Sequence, residues 1–216
     1  TGTLGAHVLL KGPANDPSVA VTVRSEALTL TRTGALQQNL VLRPVEVSVT
    51  SGDTGALTAT VSANTLGAVI TSTVGTPLTV PGLRTTLPTA DTLRVMKVTL
   101  DLAVAGLALE TLKTLGLESL DDVTGKASLK AVLRGSFDDP TGQVTLRFEK
   151  VNAPPLEDLD GELELTASDT LTRLVGKGRS QQNPLFDLVA LIDTPVQKLQ
   201  HPDALGPEHV TAHLSV

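Results

Sequence analysis

Hydrophobic and polar residues alternate one by one over most of this chain. In SVAVTVR (18–24), Val19, Val21 and Val23 share one side and Ala20, Thr22 and Arg24 the other. VEVSV (45–49) opposes Val45, Val47 and Val49 to Glu46 and Ser48, and GALTATVSA (55–63) opposes Leu57, Ala59 and Val61 to Thr58 and Thr60. QVTLRFE (143–149) sets Val144, Leu146 and Phe148 against Thr145, Arg147 and Glu149, and GELELTA (161–167) sets Leu163 and Leu165 against Glu162 and Glu164. A period of two is the mark of a strand with one buried and one wet face. Threonine, abundant at the polar positions, suits the pleat because it is β-branched. One stretch departs from this period. Residues 107–120 place Leu109, Leu112 and Leu115 three apart, which predicts a short helix at about 108–115, ended by Gly116 and able to shield strand edges. Turns are predicted where Gly, Pro, Asn and Asp cluster, as in GPANDP (12–17) and SFDDP (136–140).

The pattern repeats over a long period. Residues 1–42 lie over residues 124–165 without a gap, at an offset of 123, and thirteen of the 42 columns are identical. Gly12, Pro17, Val21, Arg24, Leu40 and Leu42 fall on Gly135, Pro140, Val144, Arg147, Leu163 and Leu165. A second echo, at an offset of 112, carries VTLDLAV (98–104) onto VTAHLSV (210–216). The chain therefore divides into a partial first unit at 1–97, a second unit at 98–209 and the start of a third at 210–216. Repeats of this kind build extended arrays whose units bury apolar surface against their neighbours.

Composition narrows what such an array can do. The 216 residues are 40% hydrophobic, yet only three are Phe and none is Tyr or Trp, so any interior is smooth and aliphatic. The stacking platforms used for sugars and single-stranded nucleic acid are missing. A net charge of -6 with no basic cluster removes the electrostatic footprint of a nucleic-acid binder. Without cysteine there are no disulfides and no thiolate metal sites. No run of about 18 apolar residues is present to span a bilayer as a helix. A start at Thr1 with no basic-then-apolar leader reads as a piece of a longer protein, with any targeting segment elsewhere.

Each candidate for chemistry has a plainer reading. His209 and His213 share a strand face, but four residues along a strand is about 13 Å, too far to share one ion. Asp203 and Glu208 are the nearest further ligands, His7 and His201 stand apart, and solvent-facing positions account for the histidines. The acidic groups Asp121-Asp122, Asp138-Asp139 and Glu157-Asp158 with Asp160 do not match the alternating loop that wraps calcium. Glu162 and Glu164 are spaced like paired carboxylates, but nothing around them in sequence would desolvate an acid–base pair. No nucleophile elbow, phosphate-binding glycine loop or dinucleotide fingerprint is present. No catalytic, metal or cofactor site is expected.

The repeated blocks, LKGPANDPSVAVTVR and LRGSFDDPTGQVTLR, followed by LDGELEL and by VTLDLAV leading into a Leu-rich helix, resemble the repetitive C-terminal region of the TamB family in the AsmA-like superfamily. The resemblance covers essentially the whole chain, is strongest at 2–30 and 98–153, and rests on texture, with no invariant catalytic residue. It implies an all-β fold: a long, twisted antiparallel-type sheet curved into a U-shaped open groove, a β-taco with an aliphatic lining. It also implies a periplasmic section of a bridge in the bacterial cell envelope. The parent would be anchored in the inner membrane outside this chain and would meet an Omp85-type outer-membrane barrel through regions outside it. Phospholipid acyl chains would be the cargo, with possible support of outer-membrane protein assembly. The groove-lining residues expected are Val19, Val21, Val23, Leu40, Leu42, Val45, Val47, Val49, Leu57, Val61, Val144, Leu146, Phe148, Leu163 and Leu165. Alternation alone favours the interior of a β-sandwich, and it is the long repeat and the near absence of aromatics that favour the open groove. A structural or adhesive sandwich repeat of a cell-surface protein is therefore the competing expectation.

Overall fold

A computed structural model of the chain describes residues 3–13, 18–32, 38–52, 55–85, 87–115, 122–136, 138–193 and 210–216. The described strands are β1 (Gly5–Lys11), β2 (Ser18–Ser25), β3 (Leu28–Arg32), β4 (Gln38–Leu42), β5 (Val45–Ser51), β6 (Ala56–Thr65) and β7 (Ala68–Thr79). They continue with β8 (Val98–Ala108), β9 (Thr124–Gly135), β10 (Pro140–Ala153), β11 (Leu156–Ala167), β12 (Thr172–Ser180), β13 (Asn183–Ile192) and β14 (Val210–Ser215). Two short helices, α1 (Val80–Thr85) and α2 (Ala90–Val95), separate β7 from β8, and a 3-10 helix (Leu109–Leu115) follows β8.

Twelve strands form one antiparallel sheet in the order β1-β2-β5-β6-β7-β8-β9-β10-β11-β12-β13-β14, and the sheet does not close. The fold is thus all-β, as expected from the alternation, and open, as expected from the resemblance. The expected unit boundary at residue 97 does not interrupt it, because β7 pairs with β8. The sheet is a meander in which each strand lies beside its sequence neighbour, save where β3 and β4 leave it as a separate two-stranded hairpin. That hairpin is tied to the end of β6, where Arg43 donates its backbone N–H to Asn64 and Thr65 donates its hydroxyl to the carbonyl of Val41.

The long repeat is a repeat of register. Leu10↔Val19, Val8↔Val21 and Ala6↔Val23 in β1–β2 become Leu133↔Gly142, Ala131↔Val144 and Leu129↔Leu146 in β9–β10, each shifted by the sequence offset. The correspondence breaks at the next strand. Leu163 and Leu165 sit in β11 opposite Leu146 and Val144, but their sequence counterparts Leu40 and Leu42 sit in β4. Val47 and Val49 of β5 take the places opposite Val23 and Val21 instead. Leu40 and Leu42 therefore do not belong to the large sheet, and the expectation that they line its face is corrected. The cause is the β3–β4 hairpin, which loops out a segment whose alternation matches that of the strand replacing it.

Local chemistry sets the connections. β6 and β7 are joined through Leu66 and Gly67, both with positive φ (50° and 76°). β12 and β13 are joined through Gln181 and Gln182, with φ of 49° and 66°. Two left-handed residues in a two-residue loop match the twist of a hairpin, and Asn-Gly is the preferred pair there. Gln at both positions carries a Cβ penalty of about 1–2 kcal/mol per residue. Gln182→Gly is expected to raise the unfolding free energy by about 1 kcal/mol, after the entropy that glycine adds to the unfolded chain. A urea titration followed by far-UV circular dichroism checks this, and an unchanged or lowered midpoint would contradict the turn geometry.

The helix expected at about 108–115 is present as the 3-10 helix Leu109–Leu115. A spacing of three suits its three residues per turn better than the α-helical period; Gly116 lies outside the described residues. Leu109 is buried against Ala127 and Val151, with Leu112, Val123, Phe148, Ala153 and Leu159 packed around them. This helix covers one end of the sheet. The helices α1 and α2 were not anticipated, although both carry caps. Thr79 accepts the backbone N–H of Gly82, Pro81 lies in the first turn of α1, and Thr89 accepts the N–H of Thr92.

Candidate functional surface: the aliphatic face of the sheet

Antiparallel partners place their side chains on the same face, so the registers trace lines across the sheet. One line runs Ala6, Val23, Val47, Val61, Ser72, Leu102, Ala131, Val144, Leu165, Leu174, Ala190, Ala212, from β1 to β14. Ser72 alone interrupts an aliphatic row that crosses all twelve strands. The neighbouring line, one residue along each strand, is His7, Thr22, Ser48, Thr60, Thr73, Asp101, Val132, Gln143, Thr166, Arg173, Leu191, Thr211. One face is therefore aliphatic from edge to edge and the other largely polar.

Thirteen of the fifteen expected lining residues share the aliphatic face by strand parity, namely Val19, Val21, Val23, Val45, Val47, Val49, Leu57, Val61, Val144, Leu146, Phe148, Leu163 and Leu165. Leu40 and Leu42 are the two set apart on the hairpin. Of the thirteen only Val45 is buried, and the other twelve are half-buried. Residues sealed between two packed sheets are buried on both sides of a core about 10 Å thick. Among the described residues the sheet has no such second layer, and its buried apolar residues are few: Val45, Ala63, Ala68, Leu109, Ala127, Ala131 and Val151. The aliphatic surface is a partly exposed plane, not a closed core.

Within that plane the C-terminal strands have their own relief. Phe148 stands opposite Gly161, Gly161 opposite Gly178, and Gly178 opposite Phe186. A Cβ on Gly178 would collide with the Phe186 ring, and one on Gly176 would meet Leu163 Cδ2 at 2.7 Å. The rings and the leucine thus lie over bare backbone, which fills the face without raising it.

The polar face is held by cross-strand ion pairs. Arg24 meets Glu46 at 3.0 Å, Arg147 meets Glu162 at 2.9 Å and Lys177 meets Asp187 at 4.0 Å. All are solvent-exposed, so each contributes at most about 1 kcal/mol. Two depressions, of about 890 and 110 Å³, are lined mainly by residues of this polar face over β10–β14 and β7–β9. The larger one also reaches Phe148, Gly161, Gly178 and Phe186 of the aliphatic face at the C-terminal strands.

The other candidates disperse. Glu162 is committed to Arg147, and Glu164 accepts a 3.4 Å hydrogen bond from the Thr166 hydroxyl. Asp138 pairs with Arg94 of α2, and Asp160 accepts the backbone N–H of Lys150, whose φ of 50° marks a bulge in β10. His7 and His213 stand on the polar face of the edge strands β1 and β14. His201, His209, Asp203, Glu208 and Asp121 lie outside the described residues. Among the described residues no three His, Asp or Glu gather to hold a metal, and no helix is long and apolar enough to cross a membrane.

Several residues of the aliphatic face were missed from sequence. Leu100, Leu102, Val104, Leu129 and Leu133 alternate in VTLDLAV and SLKAVLR, and were legible there. Phe186, Leu188, Ala190 and Ile192 were harder to see, because Leu185, Val189 and Leu191 make both faces of β13 largely apolar, with Asp187 the one charged residue among them. Comparison with family models, with curated proteins and with solved structures finds no match to this chain.

Proposed function

We propose that the aliphatic face is a lipid-conducting surface, and that the chain is a section of a TamB-like bridge carrying phospholipid between membranes. The observation behind this reading is the aliphatic row that crosses every strand while its side chains stay partly exposed. Each methylene that an acyl chain removes from water contributes about 0.8 kcal/mol, without any polar recognition. A surface of Leu, Val and Ala offers that gain with no hydrogen bond to break at each step, which suits sliding. The polar face, laced by ion pairs, is fit to meet water. The reading assigns no catalytic residue and needs no cofactor. An inner-membrane anchor and an Omp85-type barrel belong to it only through regions outside this chain, and a periplasmic location follows from the same reading.

A photocrosslinking amino acid at Val21, Leu146 or Leu163 is expected to form phospholipid adducts, both in expressing cells and with purified protein on vesicles. The same probe at Thr22, Arg147 or Glu164, one residue away on the polar face, is expected to form none. Adducts on both sets would indicate non-specific membrane contact. Adducts on neither would return the face to a purely structural role, the reading in which such repeats scaffold or adhere.

A further inference from the structure

Burial is unevenly spread over the aliphatic face. Among the described residues, six of the seven buried apolar residues, Val45, Ala63, Ala68, Leu109, Ala127 and Val151, lie along one margin of the sheet. The seventh, Ala131, is near its centre. At this margin β6 turns into β7, β8 ends in the 3-10 helix and β10 turns into β11. Two elements outside the sheet cover it. The 3-10 helix sets Leu109 and Leu112 against Ala127, Phe148 and Val151. The β3–β4 hairpin lies over the same face, because Thr65 shares the parity of Ala63 and its hydroxyl donates to the Val41 carbonyl at 2.8 Å. β4 also lies beside the helix. Hairpin and helix together wall this margin from β5 to β11.

The opposite margin is built differently. Among the described residues from β1 to β10 the aliphatic face has nothing buried there: Val21, Val49, Val74, Leu100 and Leu133 are half-buried and Val8 is exposed. Burial returns only at Thr172 of β12. The helices α1 and α2 join β7 to β8 at this margin without covering it. No residue of α2 is buried, and Leu87, Leu93 and Val95 are exposed. Arg94 instead holds α2 to Asp138 in the β9–β10 turn, beyond the strand ends. Lys97, Arg134 and Asp139 are exposed nearby, so this margin is charged as well as open.

We infer that a phospholipid lies on this face with one polarity: tails toward the wall, glycerol and headgroup at the margin of the β7–β8 connection. That margin is then also where the lipid enters and leaves. This polarity presupposes the lipid-conducting reading and adds to it the direction in which each lipid points. A charged headgroup needs water or polar partners, and among Leu109, Phe148 and Val151 it would be desolvated and unpaired. The methyl end of a tail needs neither and gains apolar contact there. At the open margin the headgroup stays in water beside charged side chains.

The absence of cysteine lets a single reporter be placed at will. Leu100 and Val104 of β8 share the face about 13 Å apart along the strand, Leu100 toward the open margin and Val104 toward the wall. Leu133 and Leu129 of β9 face them in the same order, although the chain there runs the other way. Each of Leu100→Cys, Val104→Cys, Leu133→Cys and Leu129→Cys is labelled with bimane. Phosphatidylcholine carrying a nitroxide beside the glycerol or at the methyl end of a tail is loaded from vesicles, which are then removed. The glycerol-side nitroxide is expected to quench more strongly at Leu100→Cys and Leu133→Cys, and the ratio of the two quenchings is expected to invert at Val104→Cys and Leu129→Cys. Urea midpoints near the parent value identify the labelled chains that are folded, and either strand alone supplies the comparison. The same ratio at both positions of a strand, or the inverse order, would overturn the inference and leave the lipid-conducting reading standing. Quenching at no position by either lipid would remove that reading and the inference with it.

Discussion

Leu146→Gln combined with Leu163→Gln is expected to leave the sheet folded and to weaken phospholipid binding at least about tenfold. The two leucines face each other across β10 and β11, and Leu163 also lies over Gly176. Burying a leucine is worth about 1.5–3 kcal/mol. Losing even part of that against an acyl chain at two adjacent places exceeds the roughly 1.4 kcal/mol that corresponds to a tenfold affinity change. Folding responds differently, because both residues are half-buried and their amide replacements reach water. The stability cost is then about 1–2 kcal/mol. In a closed core the same pair would cost far more: about 2–5 kcal/mol per leucine for lost packing and about 1–3 kcal/mol per unsatisfied amide. Lipid binding to vesicles and a urea midpoint, measured on one preparation, separate the possibilities. Weak binding with a near-native midpoint supports the open lipid surface. A collapsed midpoint means the face is structural, and unchanged binding places the lipid elsewhere.

Gly142→Val is expected to destabilise the sheet by roughly 3 kcal/mol or more, a large share of the 5–15 kcal/mol typical of folded domains. This runs against the repeat. The counterpart of Gly142 is Val19, opposite Leu10 in the same register that Gly142 holds opposite Leu133. By sequence alone, valine is the residue a consensus would install. In the structure Gly142 has a φ of +141°, and a Cβ there would meet Leu133 Cα at 3.0 Å and crowd the Val132 carbonyl oxygen more closely still. The obstacle is backbone, which no rotamer change relieves. The reciprocal Val19→Gly should cost about 1 kcal/mol, from strand entropy and lost apolar contact. Paired urea titrations measure both. If Gly142→Val matches the parent midpoint, β10 relaxes to ordinary extended backbone and the repeat is the better guide.

How much of this surface was legible follows from how local each signal is. The strands around Val21, Val47, Leu146 and Leu163 were readable because a period of two is written into seven consecutive residues. The line that joins them was not, since it depends on pairings between residues as far apart as Ser72 and Leu102. Leu40 and Leu42 show the cost of that difference. Their alternation and their match to Leu163 and Leu165 were both correct, yet the hairpin lifts them out of the sheet. Phe186 shows the opposite case, a residue of the face in a strand apolar on both sides, whose parity the pairing with Gly178 reveals.

By itself the sequence determined that the chain is all-β, that its strands have one aliphatic and one polar side, and that β1–β2 and β9–β10 are versions of one hairpin. Side-chain periodicity and turn chemistry act over a few residues, and a repeat needs only comparison within the chain. Tertiary structure decided that the strands join in one open sheet and that the aliphatic sides add up to a single partly exposed face. Those outcomes depend on hydrogen-bond registers between distant segments. The same alternation is consistent with a closed sandwich until the strands are paired.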